Sequence, residues 1–360
     1  MTSIPAKDEI VIALDAMGGD LAPQMVLDGA ILALDKYPDI KFIIHGNRSE
    51  IEPFIKKSSP LSKASSIVHS SEVVSNDDKP SVALRRRRNS SMAMAVKSVR
   101  SGEAAAMVSS GNTGALMAIS KVLLRTLPGI DRPAIGTVLP TKRGNSVMLD
   151  LGANVICDGN NLFEFAVMGD AFARSILGYE SPSIGLLNIG TEEMKGNEAV
   201  KEASIMLKES TLDLNFHGHI EGDDIGKGLV DVIVTDGFSG NIALKTAEGT
   251  AKMLFSFLKD AINSSWISKI GALLAKPAFS MMMKKFDPRM HNGAMLMGLN
   301  GIVVKSHGGT DEIGFANAIA VSVELVKHKI NEQIMREMVQ SGHIVPDEEI
   351  WENKNKDSEN

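Results

Sequence analysis

Apolar runs of strand length alternate with amphipathic stretches of helix length along most of the chain. That alternation is the signature of an α/β fold in which helices cover both faces of a mostly parallel, doubly wound sheet, giving three layers. Strands are expected at residues 10–15, 41–45, 104–109, 135–139, 146–151, 183–189, 230–235 and 301–305. Several of these runs end in a cluster of Gly, Asn, Ser or Asp. In open α/β sheets ligands bind beyond the carboxyl ends of the strands, so in a parallel sheet these clusters would gather along one edge. No repeat of fixed period is present.

Two regions break the alternation. Residues 252–289 carry seven Lys and Arg against Asp260 and Asp287, a local charge of +5. Leu254, Leu258, Ile262, Trp266, Ile270, Leu273 and Leu274 recur there at helical spacing, and Phe255, Phe257 and Ile267 widen the stripe. This predicts a protruding amphipathic helical element whose apolar face meets either lipid or a partner subunit. Residues 346–360 are polar and charge-rich and are expected to fray. The organisation predicted is one α/β domain over 1–345 followed by that tail.

Composition narrows the classes. The chain has 360 residues, 44% hydrophobic and 23% charged, the balance of a folded soluble protein. A net charge of −6 argues against a nucleic-acid partner. Cys157 is the single cysteine, which excludes an intrachain disulfide and fits a reducing cytosol. Residues 1–9 lack an apolar signal core and nowhere do eighteen apolar residues run together, so the expectation is a cytoplasmic protein that does not span the membrane.

The strongest local signal is Ser109-Ser110-Gly111-Asn112-Thr113-Gly114, a glycine-rich turn between a strand and a helix, where backbone amides at the dipole's positive end suit phosphate. A tight turn explains the same glycines equally well. Neither a Gly-Lys-Ser/Thr phosphate loop nor the dinucleotide Gly-x-Gly-x-x-Gly pattern occurs. Asp15-Ala16-Met17-Gly18-Gly19-Asp20 follows the first strand and places Asp15 at the floor of the expected cleft. Three further clusters follow strands: Asp150–Asn154, Asn188–Asn197 and Thr235–Asn241. Lys195 is a natural counter-ion for phosphate, or else an ordinary solvated lysine. Asn241 can donate to an oxygen that gains charge. His307 follows a strand and is a cleft candidate, whereas His217 and His219 lack a third ligand at metal spacing and Cys157 lacks a base. Arg85–Arg88 is either a solvated face or an anion dock.

Taken in order, Ile12–Asp20, Gly111–Met117, Leu186–Gly190 with Lys195-Gly196, Asp236–Asn241 and Ser306-His307-Gly308 resemble the PlsX family of phosphate acyltransferases. The matches run from residue 9 to about 330. Ser110 and Met297 depart from the commoner alanine and leucine without removing a polar group. The resemblance implies a fold like that of isocitrate and isopropylmalate dehydrogenases and of phosphotransacetylase, and a homodimer held loosely at an anionic membrane. It also implies transfer of an acyl group from acyl carrier protein to inorganic phosphate, for use by a downstream glycerol-3-phosphate acyltransferase, without cofactor or metal.

By that resemblance Lys195 and Asn241 are catalytic. Asp15, Gly18, Gly19, Gly111, Asn112, Thr113, Gly114, Asn154, Asn188, Gly237, Gly240 and His307 bind substrate. From their charge, Arg85, Arg86, Arg87 and Arg88, or the basic face near Lys284 and Lys285, are expected to steer the acidic carrier protein, and Leu254, Phe257, Trp266 and Leu273 are expected to enter the membrane or to pack against a partner subunit. The rivals are a dehydrogenase or a coenzyme A-dependent phosphotransacetylase on the same scaffold, and a scaffold that holds carrier protein without catalysis.

Overall fold

A computed structural model describes residues 9–285 and 287–341, so the expected polar tail lies outside the described residues. The strands are β1 (Val11–Asp15), β2 (Lys41–Gly46), β3 (Ser65–His69), β4 (Ala106–Ser109), β5 (Ala134–Pro140), β6 (Asn145–Leu149), β7 (Ser183–Leu187), β8 (Asn215–Ile220), β9 (Val232–Val234), β10 (Ala294–Met297) and β11 (Ile302–Lys305). The first helices are α1 (Gln24–Lys36), α2 (Arg48–Lys57), α3 (Ser59–Ala64), α4 (Pro80–Arg86), α5 (Ser91–Arg100), α6 (Thr113–Leu124) and α7 (Gly159–Leu177). They are followed by α8 (Glu198–Glu209), α9 (Gly222–Lys227), α10 (Gly237–Asn263), α11 (Trp266–Leu274), α12 (Lys276–Lys285), α13 (Glu312–Lys327) and α14 (Ile330–Gln340).

All strands join one eleven-stranded sheet in the order β3-β2-β1-β4-β11-β10-β5-β6-β9-β7-β8. Alternation along each strand divides the interior into two cores. Ile12, Leu14, Val108, Val147, Leu149, Val232 and Val304 face one core, which the buried helix α7 fills with Phe163, Phe165 and Phe172. Val11, Ala13, Met107, Met148, Ile233 and Val303 face the other, against α5 and α6. The expected strands all form, with ends that differ by a few residues. Three more went unanticipated. β3 and β8 are the sheet edges, and edge strands such as Ser-Ser-Ile-Val-His and Asn-Phe-His-Gly-His-Ile carry polar residues, so no apolar run marks them. β10 is a short antiparallel insert.

That insert corrects the picture of a single ligand-binding edge. The strands from β3 to β11 run parallel, as do β6, β9, β7 and β8. Between them the β11/β10, β10/β5 and β5/β6 contacts are antiparallel, so the second block runs opposite to the first. The carboxyl ends of β1, β4 and β11 therefore leave one sheet edge and those of β6, β9 and β7 the other. Strand twist of about 20–25° per step accumulates to roughly 80–100° over the four steps from β11 to β9.

α10 begins earlier than the expected protrusion, at Gly237 rather than near 252. From Asn241 to Met282 no residue is buried. Leu254, Phe257, Trp266 and Leu273 are 58–71% exposed. Among the described residues no helix is long and apolar enough to cross a membrane.

Candidate active site

The first group of loops follows β1, β4 and β11. Asp15 is buried, and its carboxylate accepts the Ser91 hydroxyl at 2.6 Å and the Ser109 hydroxyl at 2.7 Å. Burial pushes this carboxyl up, and the two hydroxyl bonds oppose that rise. Asp15 is thus committed to tying α5 and β4 to β1 and is not the ligand-facing group expected at the cleft floor. Gly18 and Gly19 serve contact: a Cβ on Gly18 would lie 2.7 Å from the Gly111 nitrogen, and one on Gly19 2.6 Å from the Ser110 hydroxyl. Ser110 Oγ donates to the Gly18 carbonyl at 2.6 Å, and the Asp20 amide donates to the Gly308 carbonyl at 3.0 Å. Three backbones thereby lie directly against one another.

Asn112 is also corrected. Its Oδ1 caps α6 by accepting from the Ala115 amide, and its Nδ2 donates to the carbonyls of Asn76 and Asp78, so its side chain is consumed by structure. The Gly111 amide donates to Ser109 Oγ at 3.1 Å. Thr113 and Gly114 are different: they are exposed and form the first turn of α6, where amides have no helical carbonyl to bond. His307 is exposed as well. Its backbone amide donates to the buried Asn292 Oδ1 at 2.9 Å and its Nδ1 accepts from Gly309 at 3.2 Å. Partial burial, then Lys245 and Lys305, hold its imidazole below the usual histidine range.

The second group follows β6, β7 and β9. The Asp150 carboxylate gathers the amides of Ile135, Gly152, Ala153 and Asn154 at 2.7–3.2 Å, together with Asn154 Nδ2 at 3.0 Å. Asn154 Nδ2 also donates to the Pro133 carbonyl, so this side chain too is structural. Gly237 and Gly240 meet backbone at close range, where a Cβ would lie 2.6 Å from the Asn154 carbonyl oxygen and 2.0 Å from that of Asp150. Their amides are used, Gly237 on Asn154 and Gly240 on Asp236. Neither is free to serve an oxyanion, contrary to expectation. Asn241 is exposed on the first turns of α10, over Gly152. Asn188 Nδ2 holds the Lys195 carbonyl at 3.2 Å, and the Lys195 ammonium stands half exposed, 4.0 Å from Glu192.

α10 starts in the second group. Its first residue packs on the Asp150 loop, while Lys245, eight residues and roughly 12 Å further at about 1.5 Å per residue, acts electrostatically on Lys305 and His307. Lys305 escaped the sequence reading. Burial lowers its ammonium to about 8, against the upward pull of Asp15 and Asp20. Its only signal is a charged residue closing the apolar strand Ile302-Val303-Val304. The arginine run is split: Arg85 and Arg86 end α4, Arg88 is exposed, and Arg87 turns inward to Asp78 at 3.6 Å, leaving three guanidinium groups facing out.

Residues 10–333 match the family described as "Fatty acid synthesis protein". The chain is 55% identical over 328 residues to the phosphate acyltransferase of Paramagnetospirillum magneticum, covering 91% of this chain and 93% of that protein. The chain belongs to the PlsX family of phosphate acyltransferases. Membership makes it an enzyme of acyl transfer to phosphate. Identity to the Rhodospirillum rubrum family member is 52% over 332 residues, 92% of this chain and 95% of that one. Among solved structures, a phosphotransacetylase from Streptococcus pyogenes superposes with a TM-score of 0.59 at 17% identity, covering 89% of this chain and 95% of that one. The EutD phosphotransacetylase from Staphylococcus aureus gives 0.57 at 16%, with the same coverage. At that identity the likeness is one of fold, and it bears out the α/β architecture.

Proposed function

We propose that this phosphate acyltransferase takes its acyl group from acyl carrier protein, as a fatty acyl thioester, and passes the acyl phosphate to a glycerol-3-phosphate acyltransferase for phospholipid synthesis. The reading is supported by the exposed first turn of α6, whose amides lack helical carbonyl partners, and by Asn241, exposed on the first turns of α10 over Gly152.

The exposed amides of Thr113 and Gly114, with the Lys195 ammonium, hold inorganic phosphate for attack. A phosphate oxygen adds to the thioester carbonyl, and the carbon–sulfur bond breaks as the tetrahedral adduct collapses. The phosphate's proton ends on the departing carrier thiol, which balances the reaction. Phosphate is already nucleophilic and a thioester already activated, so the residues' task is orientation and charge. Asn241 Nδ2 is the donor assigned to the developing oxyanion, because the neighbouring glycine amides are spent.

Arg85, Arg86 and Arg88 are assigned to the acidic carrier protein, whose encounter complementary charge would steer. The row Leu254, Phe257, Trp266 and Leu273 is assigned to an anionic membrane surface, with the second subunit of a homodimer as the competing cover.

The deciding assay supplies acyl carrier protein thioester with and without phosphate, and measures free carrier thiol and acyl phosphate trapped by hydroxylamine. Thiol release without phosphate, or reaction with coenzyme A thioesters alone, would end the proposal. Lys195→Ala is expected to raise the phosphate requirement.

A further inference from the structure

The start of α10 and the loop after β6 leave four large apolar side chains in the open beside Asn241. Val155, Ile156, Phe238 and Ile242 are 67%, 79%, 58% and 49% exposed. Backbone contact holds the two segments together. The Gly237 amide donates to the Asn154 carbonyl at 2.8 Å, and a Cβ on Gly237 would lie 2.6 Å from that oxygen. Val155 and Phe238 each come one residue after this bond, so their side chains leave adjoining points of the surface. Phe238, Asn241 and Ile242 stand at i, i+3 and i+4 of α10, the spacing that sets side chains on one helix face. A Cβ on Gly152 would lie 3.7 Å from the Asn241 Cβ, which sets the loop after β6 against that face.

A lone exposed apolar side chain is ordinary, but several gathered in one place mark a surface that a ligand or partner covers. The other side of α10 turns inward, where Ala243 and Leu244 pack against the core, so folding does not call for apolar residues at 238 and 242.

We propose that this patch receives the first methylenes of the acyl chain. The assignment rests on the role given to Asn241 under Proposed function. A thioester carbonyl carbon carries three substituents: the oxygen that Asn241 meets, the sulfur that leads to the carrier, and the first carbon of the chain. With the oxygen held at Asn241, the chain starts beside Phe238 and Ile242, whose Cβ atoms at this helical spacing lie about 5–6 Å from their i±3 and i±4 neighbours, and beside Val155 and Ile156 on the adjoining loop. A hydrocarbon chain laid there leaves water together with the side chains it covers, which tightens binding at most about fourfold per methylene. Long-chain donors are therefore preferred over short ones.

The test uses the full chain with Phe238→Gln and Val155→Asn, singly and together. Phe238→Leu is the conservative variant, and Ile205→Gln, at an exposed apolar residue of α8, is the control. The replaced side chains are exposed, so folding is retained, and Tm checks this. Decyl and propyl phosphonate, inert mimics of an acyl phosphate, are titrated by calorimetry, and kcat/KM is measured for palmitoyl and butyryl carrier-protein thioesters at saturating phosphate. The unaltered chain is expected to favour the long chain in both assays. Each polar replacement should weaken decyl phosphonate binding and palmitoyl kcat/KM roughly 5- to 10-fold, while the propyl and butyryl values move by less than about twofold. Phe238→Leu should keep most of the preference and Ile205→Gln all of it.

Loss of decyl selectivity in the variants, in a protein that releases no thiol from carrier thioesters even when unaltered, supports the patch while overturning the carrier reading. Three results overturn the patch: equal losses for long and short chains, a long-chain preference undiminished in the double variant, or an unaltered chain indifferent to length. Each leaves the carrier reading standing wherever phosphate-dependent thiol release persists. A fall in mass by light scattering in the double variant, with chain-length preference unaltered, also overturns the patch and assigns the face to a second copy of the chain.

Discussion

Gly240→Ala isolates how much the site depends on backbone-to-backbone contact. A Cβ at this position would lie 2.0 Å from the Asp150 carbonyl oxygen, 3.1 Å from its carbonyl carbon and 2.8 Å from Thr235 Cγ2. The first two are main-chain atoms in a loop pinned by five hydrogen bonds to the Asp150 carboxylate, and they cannot swing aside as a side chain can. Relief to an ordinary contact needs about 1 Å or more of movement, and the free end is the first turn of α10, which carries Asn241. Overpacking of this kind costs about 1–3 kcal/mol, which for 360 residues corresponds to a Tm fall of roughly 1–4 °C. A misplacement of about 1 Å in a catalytic group costs on the order of 100-fold in turnover. The expected result is therefore a folded enzyme, melting a few degrees lower, with kcat down about two orders of magnitude. Calorimetry and phosphate-dependent thiol release check the two halves. Full kcat with a lowered Tm would refute the claim that this contact positions Asn241.

Three further expectations follow. Asn241→Ala should lower kcat by about 100- to 1000-fold with little change in Tm, as loss of one oxyanion donor does, and undiminished turnover would remove Asn241 from the chemistry. Burial, then the nearby Asp170, pushes the Glu337 carboxyl up to about 8 from an ordinary 4.5, so the folded state holds a proton that the unfolded chain releases between those values. Its contribution to stability falls as pH rises through that window, and Glu337→Gln should flatten the decline of Tm between pH 5 and 8. Trp266→Asp combined with Leu273→Asp should abolish flotation with anionic liposomes while leaving the mass by light scattering unchanged; a fall in that mass would instead assign the face to contact with a second copy of the chain.

The alternation of apolar runs already determined the α/β architecture, because each central strand is buried on both faces and only continuous hydrophobic segments can satisfy two cores at once. The ordered motifs determined the family for a different reason: each is a turn where glycine or a capping residue is sterically required, so their sequence is visible locally. Asp15, Asn112, Asn154, Gly237 and Gly240 stood out on that account, yet the fold spends their polar groups on holding loops together. Which groups remain free is a property of partners distant in sequence, as with the bond between Ser109 and Asp15, 94 residues apart. The opposed directions of the two parallel blocks and the half-buried lysine that closes β11 are likewise products of register. Local chemistry marks where a chain can bend and bind; only the assembled sheet decides which donors face an open cleft.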